Sequence, residues 1–380
     1  MTTQQKFRVL RSRAYETHDT LRDDIMDAIA QVIFNPISHG YRTREAFEAQ
    51  FAQSVEQTYA VGVHSATIGL LVALRACGIT SGDEVITVAN SDISTTGVIR
   101  QVGAVPVLCD VLESDYTINV DLVEVLITPR TRAIIPVDLH GHPADVCRLR
   151  EIADRHNLKI IEDAALAQGA VDYDRPVGAF ADVTVFSFAP VKPLGSVGNG
   201  GMLVTSDEDI YAGLRLYTYY GHAPTKEDIP VGHQNYVDEG YNVPLDPLEA
   251  ALLSVKLPHL PAWTEKRRNV VSQYADGLAD TPVQLPTFRA NSTPTFRSYT
   301  VLVPRRQHIY EQLRAAGVEV VLHYSPPIHR HPVYRDGLQG ADNLPITEKL
   351  ADELISLPVT PELTETEIDY AITTLRSLLD

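Results

Sequence analysis

The sequence predicts an α/β protein: a large domain with a mostly parallel sheet flanked by helices, then a smaller C-terminal α+β domain. Two observations lead there. Between Val61 and about Ser206, short runs rich in Val and Ile recur at 85–89, 105–109, 132–137, 159–162, 183–188 and 202–205, with helix-like stretches at 66–76, 122–126 and 144–156 between several of them. These runs lack polar–apolar alternation, the pattern of strands buried on both faces under helical layers. The second observation is a change to smaller mixed elements from about Trp263. It divides the chain into an N-terminal segment with the large domain at 1–255 and a small domain at 256–380.

The remaining elements follow in order. Leu21, Ile25, Ala28, Ile29 and Ile33 form a helical stripe over 20–34, and Phe47 and Phe51, one turn apart, mark a second helix over 43–55. Residues 217–241 are rich in Gly, Tyr and His and too irregular for the sheet, which suggests a loop near the site. The stretch 245–260 reads as a helix leading away from the large domain. Strands are expected at 299–303 and 318–323. The last helix opens with the capping box Thr364-x-x-Glu367 and runs to about Leu379.

Composition excludes several classes of function. A hydrophobic content of 44% with 21% charged residues is that of a globular protein with a sizeable core. The formal charge of −17 argues against non-specific nucleic-acid binding, which needs a basic face. It leaves room for an anionic small molecule held by a few local cations and a helix N-terminus. Cys77, Cys109 and Cys147 are widely spaced, with no zinc or disulfide pattern. The polar N-terminus and the lack of a membrane-length apolar run complete the expectation of a soluble cytoplasmic protein.

One pair of residues carries the chemistry. Asp163 ends the run Lys159-Ile160-Ile161-Glu162, and Lys192 follows the next run in Phe186-Ser187-Phe188-Ala189-Pro190-Val191. In open α/β sheets ligands bind beyond the carboxyl ends of the strands, where both residues fall. A lysine amine forms a Schiff base with an aldehyde cofactor, and an aspartate keeps that cofactor's ring nitrogen protonated. Together they suit pyridoxal 5'-phosphate as an electron sink. Taken singly, each residue has a plainer explanation, a solvated surface charge or a helix cap. Ser65-Ala66-Thr67 stands where a helix opens and offers hydroxyls and amides to a phosphate, or simply an N-cap. Ser187 adds a hydroxyl, and Gly195, Gly198, Gly200 and Gly201 form a turn that lets backbone approach a ligand closely.

Over nearly its whole length the chain resembles the DegT/StrS sugar aminotransferases, pyridoxal-phosphate enzymes of fold type I. The matching pieces include Ser65-Ala66-Thr67, Gly82-Asp83-Glu84-Val85-Ile86, residues 127–137, Glu162-Asp163-Ala164-Ala165, Phe186-Ser187-Phe188 with Lys192, Gly240-Tyr241-Asn242 and residues 323–329. The resemblance implies that Lys192 holds the cofactor and moves the substrate proton, while Asp163 binds the pyridinium nitrogen. It assigns the phosphate to Thr67, Ser187 and the amide of Ala66. Asn242 would reach the phosphate of the neighbouring subunit, implying a homodimer with shared active sites. Tyr324 and His329 would face the substrate, although His329 equally suits a surface loop.

The chain departs from the family's pattern at three positions. Leu166 replaces a Gln near the cofactor's phenolic oxygen, Asp92 replaces the aromatic residue stacked on the ring, and Ala66 replaces a Gly. Two readings of Asp92 stand: it recognises a polar or cationic group, or it points away from the ring. The implied reaction moves an amino group from an amino acid, L-glutamate first among them, to a keto sugar, with the cofactor cycling through pyridoxamine 5'-phosphate. The acceptor suggested is a nucleotide-linked keto-6-deoxyhexose. A sugar dehydratase, an aminotransferase acting on a cyclitol ketone and a non-enzymatic sensor are the alternatives. Retention of Lys192 counts against the dehydratase, since relatives of that type carry histidine there.

Overall fold

Strands without polar–apolar alternation need cover on both faces, and the computed structural model, which describes residues 7–35, 37–222 and 235–379, provides it. The large sheet consists of β1 (Tyr59–Val63), β2 (Glu84–Val88), β3 (Val105–Cys109), β4 (Thr131–Ile134), β5 (Lys159–Asp163), β6 (Val183–Ser187) and β7 (Gly201–Thr205). Their spatial order is β1-β7-β6-β5-β4-β2-β3. Neighbours among β2 to β6 pair in parallel, while β7 runs antiparallel to both β6 and β1.

Consecutive residues along these strands go to opposite helical layers, which is why the sequence shows no alternation. Val85, Ile161 and Val185 pack into one cluster with Leu70, Leu74 and Leu214, from the helices Ala66–Ala76 and Glu208–Thr218. Ile86 and Ile160 join the opposite layer with Leu149 and Ile152 of the helix Val146–His156. Phe186 and Phe188 meet Phe47 and Phe51 edge-on, ring centroids 5.1 to 5.6 Å apart. Such tilted aromatic pairs add to their burial energy, and they fix the helix Ile37–Ser54 against the strand that leads to Lys192.

Several expected elements change in the structure. The helix predicted over 43–55 starts earlier, at Ile37. The stretch 122–126 forms 3-10 turns, Val120–Leu122 and Glu124–Leu126, in place of a helix. Beyond the helix Pro247–Lys256 the chain makes a 3-10 turn, Leu257–His259, and continues as the long helix Leu260–Leu278. Pro258 and Pro261 hid that continuation, yet each stands in an opening turn, where its missing N–H leaves no hydrogen bond unmade. No strand forms over 318–323, where Val318 and Val321 make single bridges to Val9 and Ser356. Strand β8 (Tyr299–Leu302) pairs instead with β9 (Leu354–Leu357), antiparallel. Residues 223–234 of the irregular 217–241 stretch lie outside the described residues; the helix before them runs to Thr218.

The C-terminal helix Glu365–Ser377 has its capping box: Thr364 Oγ1 accepts from Glu367 N at 3.4 Å, and Thr364 N donates to Glu367 Oε2 at 3.0 Å. It packs with the helix Leu260–Leu278 over the β8–β9 pair, in a cluster of Val270, Tyr274, Val301, Ile355, Ile368 and Leu375. Among the described residues no helix is long and apolar enough to cross a membrane.

One backbone contact positions the site. A Cβ added to Gly201, the first residue of β7, would stand 2.8 Å from Ala66 N and 2.8 Å from Ser65 C. These are rigid atoms at the opening of the helix Ala66–Ala76, so β7 can pass it only without a side chain. Gly201→Ala should therefore cost about 1–3 kcal/mol by overpacking and displace the helix N-terminus. A thermal melt indistinguishable from that of the unsubstituted protein would contradict this.

Candidate functional site

Strands β5 and β6 are adjacent and parallel, with Asp163 opposite Val185, so Asp163 and Ser187 both end at the same carboxyl edge. The turn after β6 returns Lys192 to the same place, with Lys192 N donating to Ala189 O at 2.9 Å. Together these elements enclose a cavity of about 210 Å³ lined by Asp163, Ser187 and Lys192. Ser65, Ala66 and Thr67 close it at one end. Of the remaining sequence candidates, Asp92, Leu166 and Tyr324 also line it.

Asp163 is 5% exposed, and its carboxylate is held from two directions. Thr95 Oγ1 donates to Oδ2 at 2.9 Å and Ala165 N donates to Oδ1 at 3.2 Å. Burial raises its pKa above the usual carboxylate range, opposed by these two hydrogen bonds and by the charge of Lys192. Two further acids lie close by. Burial lifts Glu162 to about 7, and Asp138, on the cavity wall, is pushed well above the ordinary range by burial and by the neighbouring Glu162 carboxyl. Asp138 therefore tends to keep its proton and Glu162 is only partly charged near neutral pH, which spares Asp163 part of the like-charge repulsion.

Lys192 is half-buried, and burial, with the charge of Arg297, lowers its pKa to about 8 against the pull of Asp163 and Asp92. An amine so placed is a nucleophile in mildly alkaline solution. The third part is the opening of the helix Ala66–Ala76, where Ser65 caps Ile68 N at 3.4 Å. Its free amides and positive dipole end suit an anion.

Pyridoxal phosphate fits these residues. Among the described residues the buried Asp163 carboxylate has no ion-pair partner, and a protonated ring nitrogen would supply one. Lys192 offers an amine to an aldehyde, and Ser65, Ala66 and Thr67 offer donors to a phosphate.

Asp92 is exposed and N-caps the helix Ile93–Gln101, its Oδ1 accepting from Ser94 N at 2.9 Å and Ser94 Oγ at 2.7 Å. The same helix carries Thr95 in its first turn, so the cap that Asp92 provides helps to place the donor that holds Asp163. Leu166 packs against the core as well as lining the cavity. Asn242 is exposed, bridges to Tyr219 and does not line the cavity.

His329 is also absent from the cavity wall, and its Nε2 contacts Glu348 instead. Its 3-10 turn, Ile328–Arg330, is tied to the large domain by Ile328 N donating to Ala89 O at 3.0 Å, with Ile328 buried beside Tyr334. Sequence reasoning missed Thr95, Asp138 and Asn199. It also missed Gln168, buried with Nε2 donating to the Ser187 carbonyl. Asp138 alone had a signal, since it follows the run 132–137 as Asp163 follows its own.

Residues 19–376 match the DegT/DnrJ/EryC1/StrS aminotransferase family. The chain is 39% identical to the dTDP-3-amino-3,4,6-trideoxy-alpha-D-glucose transaminase of Streptomyces venezuelae, covering 91% of this chain and 89% of that protein. It is also 39% identical to the erythromycin biosynthesis sensory transduction protein EryC1 of Saccharopolyspora erythraea, over 94% and 96% of the two chains. Among solved structures, S. venezuelae DesV in complex with a ketimine intermediate superposes with a TM-score of 0.91 at 36% identity, covering 98% of this chain and 99% of that one. A match in sequence and fold along almost the entire chain leaves one assignment: it belongs to the DegT/DnrJ/EryC1/StrS aminotransferase family, pyridoxal-phosphate enzymes of fold type I.

Proposed function

We propose that the protein moves the amino group of an amino acid, L-glutamate, to the ketone of a nucleotide-linked keto-6-deoxyhexose. One observation carries this function: the buried Asp163 carboxylate and the Lys192 amine share a cavity that a helix N-terminus closes. The sugar-nucleotide acceptor draws support from relatives named as a dTDP-amino-sugar transaminase and a UDP-N-acetyl-3-dehydro-alpha-D-glucosamine 3-aminotransferase. Lys192 also stands where a dehydratase of this kind would carry histidine.

Pyridoxal phosphate, when bound, supplies an electron sink for the bond broken at the donor's α-carbon. The chain's residues do the rest. Asp163, held by Thr95 and Ala165, keeps a ring nitrogen protonated and in place. Ser65, the Ala66 amide, Thr67 and Ser187 anchor the phosphate. Lys192 would hold the cofactor through Nζ and, once free, would take the proton from the donor's α-carbon and deliver it to the carbon that had carried the cofactor's aldehyde. Tyr324 forms part of the substrate wall. Asn242, exposed and away from its own cavity, is free to reach the phosphate of a second copy, giving a homodimer with shared sites.

The test is the visible spectrum of protein reconstituted with pyridoxal phosphate, before and after L-glutamate. A yellow band that bleaches as 2-oxoglutarate appears is the expected result, and a band that never forms would sink the assignment. Lys192→Ala should remove the band and lower turnover by at least about 100-fold. In Asp163→Ala the band should persist or weaken while turnover falls by a similar factor; an unimpaired rate would mean another ring partner. The rate of cofactor capture should rise with pH and level off above about 8, because only the neutral Lys192 amine attacks. A rate still climbing toward the ordinary lysine range would show that burial does not tune this amine.

A further inference from the structure

Lys192 lines a second, smaller cavity of about 30 Å³ with an unusual charge inventory. Arg11, Lys256, Arg267 and Arg297 face it together with Lys192, against the single carboxylate of Glu362. That carboxylate accepts from the hydroxyls of Thr17 and Thr360 and forms no ion pair among the described residues. Arg11 is paired with Glu319 at 3.4 Å, and the Lys256 ammonium donates to the Gly195 carbonyl beside His18. The other two cations have nothing comparable. Arg267, on the helix Leu260–Leu278, is 7% exposed, and its Nε and Nη1 are buried without a hydrogen-bond partner. Arg297, just before β8, is 6% exposed, and its guanidinium makes no hydrogen bond or ion pair among the described residues.

Burying a guanidinium outside an ion pair is unfavourable, and a cavity that sets two of them beside three further cations against one carboxylate is arranged for an anion. Their position identifies which one. Arg297 is close enough to Lys192 for its charge to depress the amine. An amino acid reacting at Lys192 carries a carboxylate on the carbon that bears its amine. A planar guanidinium receives a carboxylate through two parallel hydrogen bonds.

We propose that Arg297, backed by Arg267, is the seat for the carboxylate of the amino donor, beside Lys192. This rests on the amino-transfer function above. A diphosphate of the acceptor nucleotide shares the oxyanion chemistry, but a cavity of about 30 Å³ favours the smaller group.

Glutarate, a dicarboxylate with no amine to react, separates the two sources when titrated calorimetrically into protein with and without pyridoxal phosphate. Arg297→Met should weaken glutarate binding by about 100-fold and leave thymidine diphosphate binding unchanged. In the reconstituted enzyme its KM for L-glutamate should rise by a similar factor, with a much smaller change in kcat and with the visible band intact. Glutarate binding indifferent to the substitution, or loss confined to thymidine diphosphate, would overturn the proposal. Because the substitution removes a buried charge that forms no ion pair, the variant should melt no lower than the unsubstituted protein. Should it aggregate, Arg297→Lys keeps the charge without the fork, and full glutarate affinity there would equally overturn it. Glutarate binding does not depend on the visible band, so failure of the cofactor assignment and failure of the carboxylate seat can be told apart.

Discussion

Asp163 is a carboxylate at the buried end of a central strand, and much of the site is arranged to make that position tolerable. A charge there is costly unless hydrogen-bonded. Thr95 from a helix N-terminus and the Ala165 amide from the turn after β5 provide the donors. Each depends on something further out: Thr95 on the cap formed by Asp92, and Ala165 on the strand end that Val137 secures by bridging to Asp163. Glu162 and Asp138 have elevated pKa values, so the negative charge concentrates where a cationic ring nitrogen would meet it.

Around Lys192 the same low-dielectric logic runs with the opposite sign. Burial and Arg297 lower the amine toward neutrality, while Asp163 and Asp92 resist. The acid and the lysine are thus both moved toward the range in which proton transfer between groups is cheap. On the second cavity Glu362 is the one carboxylate in the lining, and Arg267 and Arg297 form no ion pair among the described residues. The two cavities that meet at Lys192 differ in sign for that reason, one walled mainly by acids and hydroxyls and the other by cations.

The replacement of an aromatic residue by Asp92 illustrates how a local change is absorbed. Read in the sequence, it removes a ring-stacking surface and puts a negative charge in the pocket. In the fold, one carboxylate oxygen is occupied by the amide and hydroxyl of Ser94, as an N-cap requires. The residue still lines the cavity, but its engaged oxygen serves the helix that holds Asp163 through Thr95. His329, expected to face the substrate, contacts Glu348 from a short turn held to the large domain at Ala89.

Local periodicity and motif order encode part of this protein directly. Strands apolar on both faces required a covered, mostly parallel sheet, and the chain positions of Asp163, Ser187 and Lys192 required that they meet beyond its carboxyl edge. The capping box at Thr364 is a contact between near neighbours and was legible for the same reason. The remainder depends on partners distant in the chain. Thr95 as the donor to Asp163, Gln168 against the Ser187 carbonyl, and the helix continuing through Pro258 and Pro261 all depend on which surfaces come together. So does the pairing of Leu354–Leu357 with Tyr299–Leu302, where 318–323 had the better strand composition. The cationic seat at Arg267 and Arg297 is the extreme case. Its residues lie on a helix and on the approach to a strand, and only burial distinguishes them from ordinary surface arginines.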